Sequence, residues 1–231
     1  MLKGDFHMHT CYSKDCATPP ERLVARAIQV GLTCIAVTDH NNVEGALAAE
    51  RVVRNQSALL VIVAEEVKTS QGEIIGLFLK ETIQGGLSPE ETCRRIKAQG
   101  GLISIPHPFD RFRRSPLKFE ALQSILSEID AFEVFNSRTT LLRDSRKALD
   151  FAKEHNLPTL AGSDAHHPWE LGHVFVELPE FKDAEGFKKA LNHIQVHGRR
   201  STPLVHLITR YVKWRKKLFK APVPAPSRSH N

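Results

Sequence analysis

Histidines and carboxylates recur in this chain at short spacings that suit metal chemistry. His7-Met8-His9 and Asp164-Ala165-His166 each set two polar groups on alternate residues. Side chains of an extended segment alternate sides, so each pair faces one way. Asp39-His40 and Glu65-Glu66 add adjacent groups. His107 stands between Pro106 and Pro108, whose fixed φ angles stiffen the segment that presents it. Gly162-Ser163 leads into Asp164, and glycine allows the backbone to approach a site closely. Neutral imidazole together with carboxylate oxygen suits Zn²⁺, Mn²⁺ or Fe²⁺, whereas calcium and magnesium sites are built mostly from oxygen. A single His-x-His pair serves packing or a solvated surface as readily as metal binding, so the recurrence carries the weight.

The hydrophobic pattern says what brings these groups together. Short apolar runs predict strands at 2–6, 33–37, 59–63, 73–79, 102–105, 131–135, 159–161 and 174–177. Between them, helical periodicity predicts helices near 19–30, 43–55, 89–99, 117–127, 141–155, 183–194 and 203–219. Thr18-Pro19-Pro20-Glu21 and Ser88-Pro89-Glu90-Glu91 each read as an N-cap, a first-turn proline and a capping-box glutamate. Strand-then-helix repetition, about seven units, implies an α/β fold with a mostly parallel sheet closed into a distorted barrel. In such folds chemistry gathers at the carboxyl ends of the strands. Here Phe6 is followed by His7 and His9, Val37 by Asp39 and His40, Val63 by Glu65 and Glu66, Ile105 by His107, and Ala161 by Asp164 and His166.

His7-Met8-His9-Thr10, Thr38-Asp39-His40, Pro106-His107-Pro108 and Gly162-Ser163-Asp164-Ala165-His166 resemble the successive motifs of the PHP (polymerase and histidinol phosphatase) superfamily, in that family's order. The resemblance covers roughly residues 3–205. It implies a distorted (β/α)7 TIM-like barrel of the PHP type. At the C-terminal ends of its strands would sit a two- or three-metal centre that hydrolyses phosphoesters by a metal-bridging hydroxide. Carried over position by position, it makes His7, His9, Asp15, His40, Glu66, His107, Asp164 and His166 metal ligands. Glu66 is preferred to Glu65 because the family's bridging glutamate usually precedes a β-branched residue, here Val67. Where the family commonly has a histidine at the start of the next strand, this sequence has Glu73. Either Glu73 substitutes as an oxygen ligand, or one metal is held more weakly, or the residue is an exposed strand-edge carboxylate. Asp39 is expected to orient a histidine from behind.

Arginines that could neutralise a phosphate follow from position. Arg111, Arg113 and Arg114 come just after Pro-His-Pro, and Arg138 follows the strand that ends in Asn136. Bidentate guanidinium contacts suit phosphate better than a lysine point charge. Arg111 and Arg138 are the candidates carried forward, with a solvated basic loop as the alternative. Cys11, Cys16, Cys34 and Cys93 form no C-x-x-C pair and read as reduced thiols.

The 231 residues carry 32 Lys plus Arg against 26 Asp plus Glu, a formal charge of +6. Residues 199–231 hold nine basic and no acidic residues, which leaves 23 basic and 26 acidic residues in 1–198, a net of −3. The basic character therefore belongs to the C-terminal end. With 41% hydrophobic and 25% charged residues, collagenous, disordered and membrane-spanning classes are excluded. The start of the chain does not read as a signal peptide, and a cytoplasmic location is expected. Expected boundaries are a phosphoesterase domain at 1–202, a basic helix at 203–220 whose apolar stripe packs on that domain, and a disordered Pro-rich tail at 221–231.

The expected activity is hydrolysis of a phosphomonoester such as a nucleotide or small metabolite, with two or three divalent ions as cofactors. The competing readings are a PHP-type nuclease or 5'-3' exonuclease, with nucleic acid reached through the basic tail, and a non-catalytic binding module. A binding module has no need of four aligned metal motifs. No residue pattern bears on oligomeric state.

Overall fold

The computed structural model describes residues 1–54, 59–113 and 115–219. Among these residues, nine strands form one sheet: β1 (Leu2–Asp5), β2 (Cys34–Val37), β3 (Leu60–Thr69), β4 (Gly72–Leu77), β5 (Leu102–Ile105), β6 (Ala131–Asn136), β7 (Thr159–Gly162), β8 (Val174–Leu178) and β9 (Gln195–Gly198). Between and after them run α1 (Pro20–Gln29), α2 (Glu44–Val53), α3 (Pro89–Ala98), α4 (Phe119–Ser124), α5 (Leu142–Glu154), α6 (Ala184–Ala190) and α7 (Leu204–Leu218). The strand order is β7-β6-β5-β4-β3-β2-β1-β8-β9. The sheet curls until the segments after β1 and β7 meet: Met8 bridges Ala165, His9 N–H donates to the Ala165 carbonyl (2.9 Å), and Asp164 N–H to that of His7 (2.7 Å). The result is a nearly closed α/β barrel.

The sheet is less parallel than strand-then-helix repetition suggests. β1-β2-β3 and β5-β6-β7 are parallel, but β4 runs antiparallel to both neighbours, and β8 runs antiparallel to β1 and to β9. The turn at Ser70 and Gln71 is too short for a crossover helix, so β4 has to reverse. Consequently the start of β4, not its end, lies at the edge where the parallel strands end.

Period-two alternation divides the inner face of the barrel into an apolar part and a polar rim. Ile62 and Ala64 precede Glu66 on one face of β3, Ile75 and Leu77 follow Glu73 on β4, and Ala131 precedes Glu133 on β6. These apolar residues join Phe6, Ala36, Leu160, Val176 and Phe187 in one buried cluster. Each fully buried large side chain contributes about 1.5–3 kcal/mol relative to exposure. The polar residues fall at one end of the same strands. Gly162 is dictated by this closure, because a Cβ there would collide with the Cβ of His7.

Two helix starts differ in how they form. Ser88 caps α3 as its sequence suggests, its hydroxyl accepting from Glu91 N–H at 3.2 Å, but the Glu91 carboxylate turns to Arg94 and Arg95. Thr18 does not cap α1: Pro19 takes the N-cap position, and the Thr18 hydroxyl points at the His166 carbonyl instead.

α7 also departs from expectation. Its apolar stripe does not pack on the barrel: Leu204, Leu207, Tyr211, Trp214 and Leu218 are all more than half exposed, and only Val205 is buried. Polar contacts hold the helix instead. Arg138 Nη2 donates to the Val205 carbonyl at 2.9 Å, and Lys216 Nζ donates to the carbonyls of Cys11 (2.7 Å) and Ser13 (2.8 Å). The expected disordered tail at 221–231 lies outside the described residues. Within them, no helix is long and apolar enough to cross a membrane.

Candidate metal centre

Six strands deliver polar side chains to one rim. His7 and His9 follow β1, Asp39 and His40 follow β2, Glu66 lies in β3, Glu73 is the second residue of β4, His107 follows β5, and Asp164 and His166 follow β7. Asp15 reaches in from the loop after His9. Three non-glycine residues at these strand ends, Asn41 (φ 51°), His107 (φ 31°) and Asp164 (φ 54°), adopt left-handed backbone. Such strain persists only where surrounding contacts enforce it, and here it falls at or beside the polar cluster.

Glu66 occupies the middle. Its Oε1 lies 3.0 Å from His107 Nε2 and 3.6 Å from His7 Nε2, and its Oε2 lies 3.0 Å from His40 Nδ1 and 3.5 Å from His9 Nε2. Asp164 Oδ1 is 3.7 Å from His7 Nε2 and 3.3 Å from His9 Nε2. Asp15 oxygens stand 3.4 Å from His40 Nε2 and 3.6 Å from His166 Nε2. Glu73 oxygens are 3.9 Å from His40 and 3.7 Å from His107. Among the described residues, four overlapping sets have potential ligand atoms within 4.8 Å of one another: His9, His40 and His166; His7, His9 and Glu66; His7, His107 and Asp164; and His40, Glu66 and Glu73. Glu65 does not join them. Alternation turns it to the other face of β3, where it accepts from Ile83 N–H at 2.9 Å and burial pushes its carboxyl up to about 8.

The hydrogen bonds behind the imidazoles fix which nitrogen faces inwards. A carboxylate only accepts, so Glu133 Oε1, 3.0 Å from His7 Nδ1, requires a proton on Nδ1 and leaves Nε2 for the cluster. Ser13 has one hydroxyl proton and donates it to Asp39 Oδ1 at 2.6 Å. It must therefore accept from His40 N–H (3.0 Å) and from His9 Nδ1–H (3.2 Å), which again turns Nε2 inwards. Asp39 thus acts on His9 through Ser13, and it also takes the Thr10 backbone N–H at 2.7 Å and the Thr10 hydroxyl. Gly45 is required beside it, since a Cβ there would strike the Asp39 carboxylate.

These groups fit divalent cations. Among the described residues, His7 Nε2, His9 Nε2, Asp15 Oδ1 and Asp164 Oδ1 are buried without a hydrogen-bond partner. Orphaned polar atoms are costly in an interior, and several converging on one point call for a counter-charge. The electrostatics agree. Burial opposes protonation of His7, but Asp164, Glu133 and Glu66 hold its pKa well above the usual histidine range. Burial likewise raises Asp164, yet Arg113 and His7 hold its carboxyl well below the usual range. Surplus carboxylate charge that retains a proton on a buried imidazole would equally hold a metal ion.

The arginines separate. Arg111 stays outside the cluster: its guanidinium pairs with Asp144 at 3.0 Å and its side chain is 50% exposed. Arg113 turns in, bonding Asp164 and Asp110. Arg138 is buried, with Nη1 2.7 Å from His166 Nδ1 and Nε 3.2 Å from Glu170. Arg114 lies outside the described residues. Asn136 Nδ2 donates to Glu133 (3.0 Å) and Asp164 (3.3 Å). Sequence reasoning passed over Glu133, Ser13 and His206. The available signal for Glu133 was a carboxylate on the inward face of an otherwise apolar strand, next to a β-bulge between Glu133 and Phe135.

A cavity of about 450 Å³ opens onto the cluster, lined on the metal side by Asp15, His40, Glu73, Asp164 and His166 and on the far side by residues of α7.

The PHP domain family matches residues 5–152, and the PHP-associated family matches residues 143–195. An uncharacterised protein of Methanocaldococcus jannaschii is 36% identical over 182 residues, 78% of this chain and 71% of that protein. A second from the same organism is 37% identical over 147 residues, 59% of this chain and 82% of the relative. Among solved structures, a two-domain protein from Bacteroides vulgatus containing a predicted PHP-like metal-dependent phosphoesterase has a TM-score of 0.69 at 20% identity, over 86% of this chain and 65% of that one. The chain thus spans about two thirds of the length of that structure. PsfC from Pseudomonas syringae has a TM-score of 0.63 at 16% identity, over 93% of this chain and 98% of that one. At these identities the structural likeness speaks for the fold.

Proposed function

The chain belongs to the PHP domain family, and from that premise we propose that it hydrolyses a phosphomonoester, such as a nucleotide or small metabolite, with two or three divalent ions (Zn²⁺, Mn²⁺ or Fe²⁺). The observation that carries this is the convergence of His7, His9, His107, Asp15 and Asp164 around the central Glu66, with ring or carboxylate atoms of His7, His9, Asp15 and Asp164 buried and unpartnered among the described residues. The proposed ligands are those residues with His40, His166 and Glu73, and the catalytic unit is 1–202.

When bound, the ions would polarise the phosphoryl group and bring the pKa of water towards about 7, so that hydroxide is available at neutral pH. The chain's own residues do the rest. Glu66 presents one oxygen towards His107 and the other towards His40, the arrangement of a bridging carboxylate. Glu133 and the Asp39–Ser13 relay hold His7 and His9 with Nε2 inwards. Arg113, already at Asp164, is the guanidinium best situated to neutralise the non-bridging oxygens of a phosphate. The Asp164 carbonyl, 2.9 Å from His166 Nδ1, accepts its proton and so leaves Nε2 inwards, while burial and the charge of nearby Arg138 lower the His166 pKa, which keeps that ring neutral.

A nuclease reading draws on the basic residues of α7 that line the cavity. The experiment that tests both is a screen of p-nitrophenyl phosphate, bis-p-nitrophenyl phosphate, mononucleotides and short oligonucleotides with added Mn²⁺ or Zn²⁺. The phosphomonoesters should be turned over fastest. Exclusive cleavage of diesters would favour the nuclease, and no metal-dependent cleavage of any of them would contradict both.

A further inference from the structure

α7 begins at Leu204, beyond the last residue matched to either family, yet it forms a wall of the cavity above the metal cluster. We propose that this wall is a second anion-binding position, at which Arg210 and Lys213 of α7, with Lys14 and Lys68 from the barrel rim, hold a second phosphate or carboxylate of the substrate. The inference rests on the phosphoesterase reading for the first position and names the substrate class: phosphoesters that carry a further anionic group away from the scissile one.

Three observations support it. First, the cavity is much larger than a phosphoryl group needs. Its roughly 450 Å³ falls in the range of pockets that enclose whole small molecules, and it runs from Asp164 and His166 to Arg210 and Lys213.

Second, the cations that line it fall into two groups. Arg113 is engaged by Asp110 and Asp164, and Arg138 by Glu170 and His166. Lys14, Lys68, Arg210 and Lys213 form no ion pair or side-chain hydrogen bond among the described residues. Like charges gathered on one cavity repel each other, and a bound anion relieves that repulsion while gaining charge-assisted hydrogen bonds.

Third, α7 is anchored over the site through polar contacts rather than by its apolar stripe. His206 Nε2 lies 3.1 Å from the Arg138 carbonyl, Arg138 Nη2 donates to the Val205 carbonyl, and Lys216 Nζ holds the carbonyls of Cys11 and Ser13 on either side of Tyr12. The helix is therefore tied at one end to the arginine behind His166 and at the other to the loop that carries Lys14 and Asp15. That double attachment keeps Arg210 and Lys213, which lie between the two anchors, at the cavity.

The test uses three ligands that share the 6-phosphate and carry at C1 a hydroxyl, a carboxylate on an open chain or a second phosphate: glucose 6-phosphate, 6-phosphogluconate and glucose 1,6-bisphosphate. Each is titrated calorimetrically into the Mn²⁺-loaded full-length protein and into an Arg210→Ala/Lys213→Ala variant, with Lys14→Ala/Lys68→Ala as a second variant acting from the opposite wall. The bisphosphate should bind wild type about tenfold or more tighter than glucose 6-phosphate, and the advantage should shrink at least about fivefold in either variant. A matching advantage for 6-phosphogluconate would mark a carboxylate as sufficient, and its absence a phosphate as required. Equal affinities for all three ligands in wild type, or an advantage that survives in both variants, would overturn the proposal. Release of p-nitrophenol from p-nitrophenyl phosphate by the same preparation reports separately on the phosphoesterase reading, so either can fail without the other.

Discussion

Glu133 lies 3.0 Å from Nδ1 of His7 and thereby decides which nitrogen His7 turns towards Glu66 and Asp164. The same carboxylate takes the backbone N–H of His107 at 2.6 Å, so one residue sets two corners of the cluster. Groups that orient metal-binding histidines from behind typically matter about 10–100-fold in metal affinity. Glu133→Gln should therefore weaken Mn²⁺ or Zn²⁺ binding by about 10–100-fold, measured by competition with a chelator of known affinity, while the far-ultraviolet circular dichroism stays native. Unchanged affinity would show that His7 is held by something else.

Glu73 lies within 4 Å of His40 and His107 and belongs to one of the four ligand sets, that of His40 and Glu66, which makes it a group for one ion rather than for the whole centre. Glu73→Ala should lower the metal content of the purified protein by about one ion per chain, read by inductively coupled plasma mass spectrometry. An unaltered content would mean that its carboxylate is not a ligand.

Arg113 and Arg111 sit two residues apart with opposite surroundings, one at Asp164 and the other half-exposed on Asp144. Arg113→Ala should reduce kcat/KM for a phosphomonoester by about 10²-fold, the size expected for loss of one charge-stabilising group in a catalytic site. Arg111→Ala should act mainly on stability, through the partner it removes from buried Asp144. Equal kinetic losses in the two variants would contradict this division.

Away from the site, Asp130 joins three elements: it binds Lys97 of α3, Lys188 of α6 (2.7 Å) and the backbone N–H of Ile103 (2.9 Å). Burial raises its pKa, but the bonds from Lys188 and Lys97 outweigh that and hold it below the ordinary 3.8. A carboxyl whose pKa is depressed by folding stabilises the fold above its unfolded value and loses that contribution as pH falls. Asp130→Asn should therefore destabilise the protein by about 1–3 kcal/mol at pH 7 in urea denaturation. The difference from wild type should narrow as pH drops below about 4. A difference independent of pH would show that charge is not what Asp130 contributes.

Local signals were readable in the sequence and long-range ones were not. Ser88-Pro89 marks the start of α3 because capping involves only near neighbours, and the strand ends carrying His7, Asp39, His107 and Asp164 stand out because apolar runs stop there. Glu73 was ambiguous although its cue is local: the two-residue turn at Ser70 and Gln71 makes β4 reverse beside β3, and treating each apolar run as the start of a strand-then-helix unit hides that reversal. Ser13 and Glu133 act across the barrel on residues that no spacing rule connects to them. For α7, periodicity revealed two faces but not which would dock. Hydrophobicity argued for the apolar one, whereas the structure uses Val205 and a few hydrogen bonds and turns basic residues to the cavity.

The central claim is that the His, Asp and Glu cluster around Glu66 is a metal centre that hydrolyses phosphoesters. It is tested most directly by stripping the protein with a chelator, adding back Mn²⁺ or Zn²⁺ in sub-stoichiometric steps, and following phosphate release from a phosphomonoester in wild type and in His9→Ala and Asp164→Ala. Activity should rise from baseline, level off at two to three equivalents of metal, and be lost in both variants. Activity that ignores added metal, or that persists undiminished in both variants, would contradict the account.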